Sequence, residues 1–259
     1  MAGWIASGVM DLGALVLLGA VGVAAGSVNA VAGGGSLIML PVLLAFGVPP
    51  VQATVTNSVS VTGGYSASVL GTRPDLRGQG ARLRLLAPTV LLGASTGCVL
   101  LLHTPPGVFA KLMPLLVLAA SLLLAFQERV GRLVGEPHAQ PVWLRFVLLF
   151  LVGVYGGYFN SVLGVILIAV LSVVVVESMN RIVALKNILQ LVVGVVATTV
   201  YSLFGPVYWP AVAVLVPATL LGGFAGARAG RRLPARTLRA VIVAFGVTVA
   251  GALFLRAMS

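Results

Sequence analysis

Gly26-Ser27-Val28-Asn29-Ala30-Val31-Ala32-Gly33-Gly34-Gly35-Ser36 decides how this chain folds. The stretch sets an amide side chain and three consecutive glycines inside a segment otherwise apolar enough for a membrane interior. The arrangement recurs about 130 residues on, where Gly157-Tyr158-Phe159-Asn160 runs through Gly164 into a second apolar stretch. Polar groups and weakened helices are costly at that depth. A matched pair of them therefore points to a binding site, as in transporters built from two repeats with broken helices.

The composition around these stretches is that of a membrane protein. Hydrophobic residues make up 59% of the 259 and charged residues 8%, against about a quarter charged in soluble domains. Mean hydropathy is +1.13. No Asp, Glu, Lys or Arg occurs between Asp11 and Arg73, between Arg145 and Glu177, or between Lys186 and Arg228. Each gap exceeds the roughly 20 residues that cross a bilayer core. The net charge of +11 would suit a nucleic-acid binder, but the arginines cluster in three short connections: Arg73, Arg77, Arg82 and Arg84; Arg129, Arg132 and Arg145; and Arg228, Arg231, Arg232, Arg236 and Arg239. Short basic loops between apolar spans mark the cytoplasmic side, so nucleic acid is not an expected partner. Cys98 is the one cysteine, which excludes an intrachain disulfide and a cysteine metal cluster. The Met1–Met10 segment is not basic, so a cleavable signal peptide is not expected.

Apolar runs and breakers predict an all-α polytopic membrane protein, one integral membrane domain over 1–259 with about 8–10 segments. Spans are expected near 9–31, 50–70, 85–103, 108–126, 143–162, 181–204, 208–227 and 237–257. The pieces 36–46 and 165–177 are too short to cross comfortably and read as half-helices or re-entrant segments behind glycine breaks. The repeat extends beyond its opening motif. Asn57 and Asn187 follow the leading asparagines by 28 and 27 residues, and Ala87-Pro88-Thr89 through Gly93 and Gly97 matches Val216-Pro217-Ala218 through Gly222 and Gly226. Repeat one covers about 9–126 and repeat two about 143–257, with a cytoplasmic linker at 127–142. Holding all three arginine clusters inside makes the repeats inverted, each crossing an odd number of times, with both termini outside.

The candidate substrate-binding residues are Asn29, Ser36, Thr56, Asn57, Asn160, Lys186, Asn187 and Gln190. Lys186 is one of two lysines and lies early in a long apolar span. On a helix it shares a face with Asn187 and Gln190, and Thr56, Asn57 and Ser60 form the matching uncharged stripe. Two such stripes meeting would make a pocket of net positive charge. Ser36 is expected to N-cap a half-helix behind Gly33-Gly34-Gly35, whose free N–H groups attract an anionic oxygen. Competing readings stand beside these: Lys186 snorkelling to the interface near Arg181, and the asparagines serving as interhelical glue. The glycine run lacks the strand–helix context of a nucleotide loop. His103 and His138 lie in different connections, so neither a metal site nor a nucleophile–base pair is expected, and the chain reads as no enzyme and as needing no cofactor. Trp4, Trp143, Trp209 and Tyr208 are placed as interfacial anchors.

At these residues the chain resembles the TauE/SafE sulfite exporter family of membrane transporters. The resemblance rests on Asn29-Ala30-Val31-Ala32-Gly33-Gly34-Gly35-Ser36-Leu37 through Pro41, and on Gly47-Val48-Pro49-Pro50 followed by Ala53 and Thr56-Asn57. In the second half it rests on Ala184-Leu185-Lys186-Asn187, Phe204-Gly205-Pro206, Leu221-Gly222 through Gly226-Ala227-Arg228, and Leu233-Pro234. It implies movement of small sulfur-containing anions, usually outward. Many members carry lysine directly after the first Thr-Asn, where this chain has Ser58, so Lys186 would have to supply the charge alone. The expected protein is a multi-pass transporter of the inner (plasma) membrane. Its partners are a small anionic substrate and the lipid bilayer, with a homodimer as a candidate assembly. Except for Glu177 at a span end, no acidic residue is expected in the membrane interior, so a carboxylate relay is missing and export driven by membrane potential is expected. The alternative is a sodium- or proton-coupled importer of a small anionic solute.

Overall fold

The computed structural model describes residues 12–31, 33–133 and 142–229, together with 243, 244, 247, 248 and 251. Nine α-helices are described: α1 (Leu12–Val31), α2 (Ser36–Ala45), α3 (Pro50–Gly71), α4 (Gly80–His103), α5 (Pro106–Leu133), α6 (Val142–Tyr158), α7 (Leu163–Val174), α8 (Met179–Phe204) and α9 (Trp209–Ala229). A 3-10 turn, Arg73–Leu76, joins α3 to α4. The described residues contain no strand. Most of the expected span 237–257, the start of the first span, part of the 127–142 linker, Trp4, His138 and the arginines from Arg231 to Arg239 lie outside the described residues.

Five helices are long and apolar enough to cross a membrane: α1, α4, α5, α8 and α9. At 22 residues α3 is as long, but its Thr, Ser and Gly content lowers its hydropathy. Burial explains how such a helix is tolerated. From Ala53 to Ser68 it is almost entirely enclosed by protein, and its hydroxyls bond carbonyls one turn back, as in Thr62 to Ser58, Ser66 to Thr62 and Ser68 to Gly64. That habit satisfies a hydroxyl without an outside partner. The outward faces of the other helices carry Leu92, Leu100, Leu151 and Leu221, all exposed, as a lipid-facing surface requires.

Glycines set which helices touch and in which direction they run. Gly26 of α1 lies so close to α9 that a Cβ would sit 2.2 Å from the Thr219 carbonyl oxygen, and Gly226 abuts Ser27. Gly97 of α4 approaches α6 as closely, 2.1 Å from the Val154 oxygen, while Gly93 abuts Gly153. Residue numbers rise together in both pairs, so α1 runs parallel to α9 and α4 parallel to α6. The contacts of Gly63 with Val216 and of Gly223 with Gly64 and Ala67 make α3 parallel to α9. Between α3 and α8 the order reverses. Thr62 meets Thr198, Tyr65 meets Gly194 and Ser68 meets Asn187. Exchanging residues 12–133 with 142–229 therefore carries the α1–α9 contact onto α6–α4, and the α3–α8 contact onto itself.

The two breaks in the apolar segments meet. Gly33, at φ +76°, ends α1 with its N–H shared between the Val28 and Asn29 carbonyls. A Cβ there would lie 2.8 Å from the Gly164 Cα, and one on Gly164 would lie 2.8 Å from the Gly33 Cα. The second break is built differently from the sequence expectation. Gly164 lies inside α7, and the chain turns instead at Asn160 (φ 61°) and Val162 (φ 59°). Asparagine tolerates this left-handed region because its short side chain bonds locally. Glycine at 164 is required by proximity to the other break rather than by conformation. The start of α2 also differs from expectation. Gly35 is the N-cap and Ser36 the first helical residue, without a capping bond from its hydroxyl. A Cβ on Gly35 would fall 2.0 Å from the Ala25 oxygen, so the cap position has no room for serine.

Alanine at Gly33 or Gly164 should lower the melting temperature of the purified protein sharply, since overpacking costs about 1–3 kcal/mol or more. Gly80 and Gly107 have nothing within 4 Å of a Cβ, and alanine there should stay within about 0.5 kcal/mol of wild type.

Candidate functional site

The joined breaks bring polar side chains from four elements to one place. Asn29 arrives at the end of α1, Asn160 in the turn after α6, Tyr65 on α3 and Gln190 on α8. The Tyr65 hydroxyl donates to Asn160 Oδ1 at 3.0 Å, and the Asn29 and Gln190 side chains lie beside the same hydroxyl. Gln190 also lies against Gly164. All four residues are buried, at 3% exposure or less.

Hydrogen bonds orient the asparagines. Asn29 Oδ1 accepts from the Gly35 N–H at 3.4 Å, and Asn160 Oδ1 accepts from Tyr65. The nitrogen ends, Asn29 Nδ2, Asn160 Nδ2 and Gln190 Nε2, are buried without a hydrogen-bond partner among the described residues, as are the Ser36 and Ser161 hydroxyls. A buried polar group left unpaired costs roughly 1–3 kcal/mol. Three amide nitrogens in that state, on side chains beside the Tyr65 hydroxyl, are donors that would suit a ligand made of acceptors.

The remaining candidates flank this centre on opposite sides. Asn187, three residues from Gln190, donates through Nδ2 to the Ser68 carbonyl at 3.2 Å and to Thr72 Oγ1 at 3.1 Å, at the end of α3. Lys186 beside it is 2% exposed and faces no carboxylate among the described residues. Its ammonium is inside the protein, whereas the Arg181 side chain is 35% exposed. Thr56 lies toward the other end of α3, where its Oγ1 accepts from the Tyr208 N–H at 3.0 Å. Asn57, next to it, is buried with both amide atoms unpaired among the described residues, and the Ser58 and Ser60 hydroxyls share that condition. The structure thus gathers Asn29, Asn160 and Gln190, holds Lys186 and Asn187 about one turn away, and separates Thr56 and Asn57 from them by the length of α3 between.

Tyr65 escaped the sequence reading. Its signal was a phenol between Gly64 and Ser66 in a span with no other aromatic residue, since a buried tyrosine hydroxyl needs a partner. A second unforeseen feature lies at the basic end, where α3 stops and α4, α6 and α8 start. The Glu177 carboxylate bridges Arg82 of α4 and Arg181 of α8, the latter pair at 3.0 Å. Gln79 Nε2 donates to the Arg181 carbonyl at 3.2 Å. These links join the α3–α4 connection to the α7–α8 connection.

Residues 18–253 match the family described as Sulfite exporter TauE/SafE. The chain is 30% identical over 228 residues to a "Probable membrane transporter protein" of Haemophilus influenzae, covering 85% of this chain and 87% of that one. It is 26% identical over 212 residues to the "Probable membrane transporter protein YfcA" of Escherichia coli K12, covering 81% and 76%. A "Probable membrane transporter protein ORF9" of Sinorhizobium is 25% identical over 229 residues, with 87% of each chain covered. No solved structure matches the chain.

The hydrogen bond from Arg82, followed by the charges of Arg181 and Arg82, holds the Glu177 carboxyl below its ordinary range. Its stabilising effect is therefore complete above the ordinary carboxylate range and is lost as pH falls through the depressed value. Glu177→Gln should melt slightly below wild type at neutral pH. The two melting curves should converge as the buffer is acidified through and below the ordinary carboxylate range.

Proposed function

The chain belongs to the sulfite exporter TauE/SafE family and is a multi-pass membrane transporter of that family; from this premise we propose that it moves a small sulfur-containing oxyanion, such as sulfite or an organosulfonate, outward across the inner (plasma) membrane. The observation that carries the reading is the set of three buried amide nitrogens, free of partners among the described residues, where the two breaks touch. An oxyanion offers acceptors only, and its lone pairs would satisfy these donors. Lys186, buried one turn from Gln190 without a carboxylate facing it among the described residues, adds the compensating charge. Asn29, Ser36, Asn160 and Gln190 then form the centre of the path. Lys186 and Asn187 stand at its basic end, and Thr56 and Asn57 at its far end.

In this reading the two halves are inverted repeats. The exchange of α1–α9 with α4–α6 supports it, as does the antiparallel crossing of α3 and α8, because equivalent helices that pass in opposite directions imply a two-fold axis across them. The gathering of Arg73, Arg77, Arg82, Arg84, Arg145 and Arg181 at one end supports a cytoplasmic assignment for that end. At 10 and 12 residues, α2 and α7 extend about 15 and 18 Å, roughly half a bilayer core, which suits re-entrant half-helices. The five acidic residues of the sequence all fall outside the candidate spans. Export driven by the inside-negative potential, worth roughly 2.3 kcal/mol per charge per 100 mV, needs no carboxylate relay.

A second reading, cation-coupled import of a small anionic solute, draws on the unpaired oxygens of Asn57, Ser58 and Ser60, the ligand type sodium takes. Sodium-dependent uptake into proteoliposomes would favour it.

The leading reading predicts that sulfite, thiosulfate or a sulfonate raises the melting temperature of the purified protein. Saturation a hundredfold above Kd is worth about 2.7 kcal/mol, and Lys186→Ala should remove most of the shift. In liposomes, efflux of the stabilising anion should accelerate with an inside-negative potential. Stabilisation by neutral or cationic solutes alone would overturn the anion site, and efflux indifferent to potential would overturn the driving force.

A further inference from the structure

Tyr65 stands where the two halves meet, and it has no counterpart in the second half. The residue 130 positions on is Val195. Its ring is buried at 1% exposure, and its hydroxyl lies among Asn29, Asn160 and Gln190. A phenol has one proton to donate, and here it goes to Asn160 Oδ1 at 3.0 Å. The bond engages the oxygen end of the Asn160 amide with the phenol. An amide can turn over about its last torsion, and the two orientations differ only in the hydrogen bonds they make. With its oxygen held by Tyr65, Asn160 presents Nδ2, the atom left without a partner among the described residues. Asn29 is fixed in the same sense by a backbone N–H, from Gly35. The backbone thus sets one asparagine and a side chain sets the other.

We infer that Tyr65 is a positioning and specificity-determining residue: its hydrogen bond holds Asn160 donor-inward, and this makes the central site select acceptor-only anions over neutral solutes that carry their own N–H donors. The inference rests on the anion-site reading above. Tyr65 itself acts through Asn160. Without the hydroxyl, Asn160 can turn its oxygen inward, and the site then offers an acceptor as well as donors.

The test compares methanesulfonate with methanesulfonamide, which has nearly the same shape but is neutral and carries an NH2 group. Kd is read by thermal shift or calorimetry on the purified full chain. Tyr65→Phe keeps the ring in the core and removes only the donor; Tyr65→Leu is the second donorless variant should the first fail to purify. Wild type is expected to bind methanesulfonate and to disfavour methanesulfonamide. The donorless variant should bind methanesulfonate about fivefold to tenfold more weakly and bind methanesulfonamide as well as wild type or better. In an Asn160→Gly background, where glycine accepts the left-handed φ, Tyr65→Phe should have no further effect on the ratio. Equal weakening of both ligands, an unchanged ratio, or an additive effect in the Asn160→Gly background would overturn the role of Tyr65 and leave the anion site standing. Failure of wild type to bind methanesulfonate or sulfite would overturn the anion-site reading, and this inference with it.

Discussion

Two interrupted apolar helices leave backbone groups exposed at their ends, and here each break covers the other. Gly33 and Gly164 lie so close that neither position has room for a side chain. Much of the architecture follows from that contact. It draws Asn29 and Asn160 together from distant parts of the sequence, and it brings α3 and α8 across the same region with Tyr65 and Gln190. The surrounding glycine contacts of α1 with α9 and of α4 with α6 hold the interrupted helices close enough for the breaks to meet.

Five long apolar helices and the nearness of Asn29 to Asn160 were legible because both follow from patterns along the chain: long uncharged runs, and a polar residue before a weak point. Features that depend on what lies opposite in space were not. Gly164 looked like the second hinge, yet the bend is made by Asn160 and Val162, and only the nearness of Gly33 explains the glycine. Ser36 looked like a cap, yet the Ala25 carbonyl occupies the space a capping side chain would need at the preceding position. Helical spacing alone grouped Lys186, Asn187 and Gln190 correctly on one helix. The antiparallel crossing of α3 and α8, which the arginine loops imply and helical spacing does not, is what separates them from Thr56 and Asn57.

In the proposed reading, the polar centre favours negative charge with almost no formal charge. Amides carry both a donor and an acceptor end, so their sign as ligands depends on which end is already engaged. Engaging the oxygens of Asn29 and Asn160 elsewhere leaves their N–H groups buried without a partner among the described residues. In the same reading Lys186 adds net charge, and it touches no carboxylate among the described residues.

The pairing of α1 with α9 also has a consequence for how the chain is made. The glycine face of α1 around Gly26 is completed by residues near Thr219 and Gly223. At roughly 5–20 residues per second, close to 200 residues of synthesis separate the two faces by about 10–40 s. During that interval the α9 partner of this face has not yet been made. The contacts of α9 with α1 and α3 are therefore the last of the described glycine contacts to become possible, after those of α4 with α6.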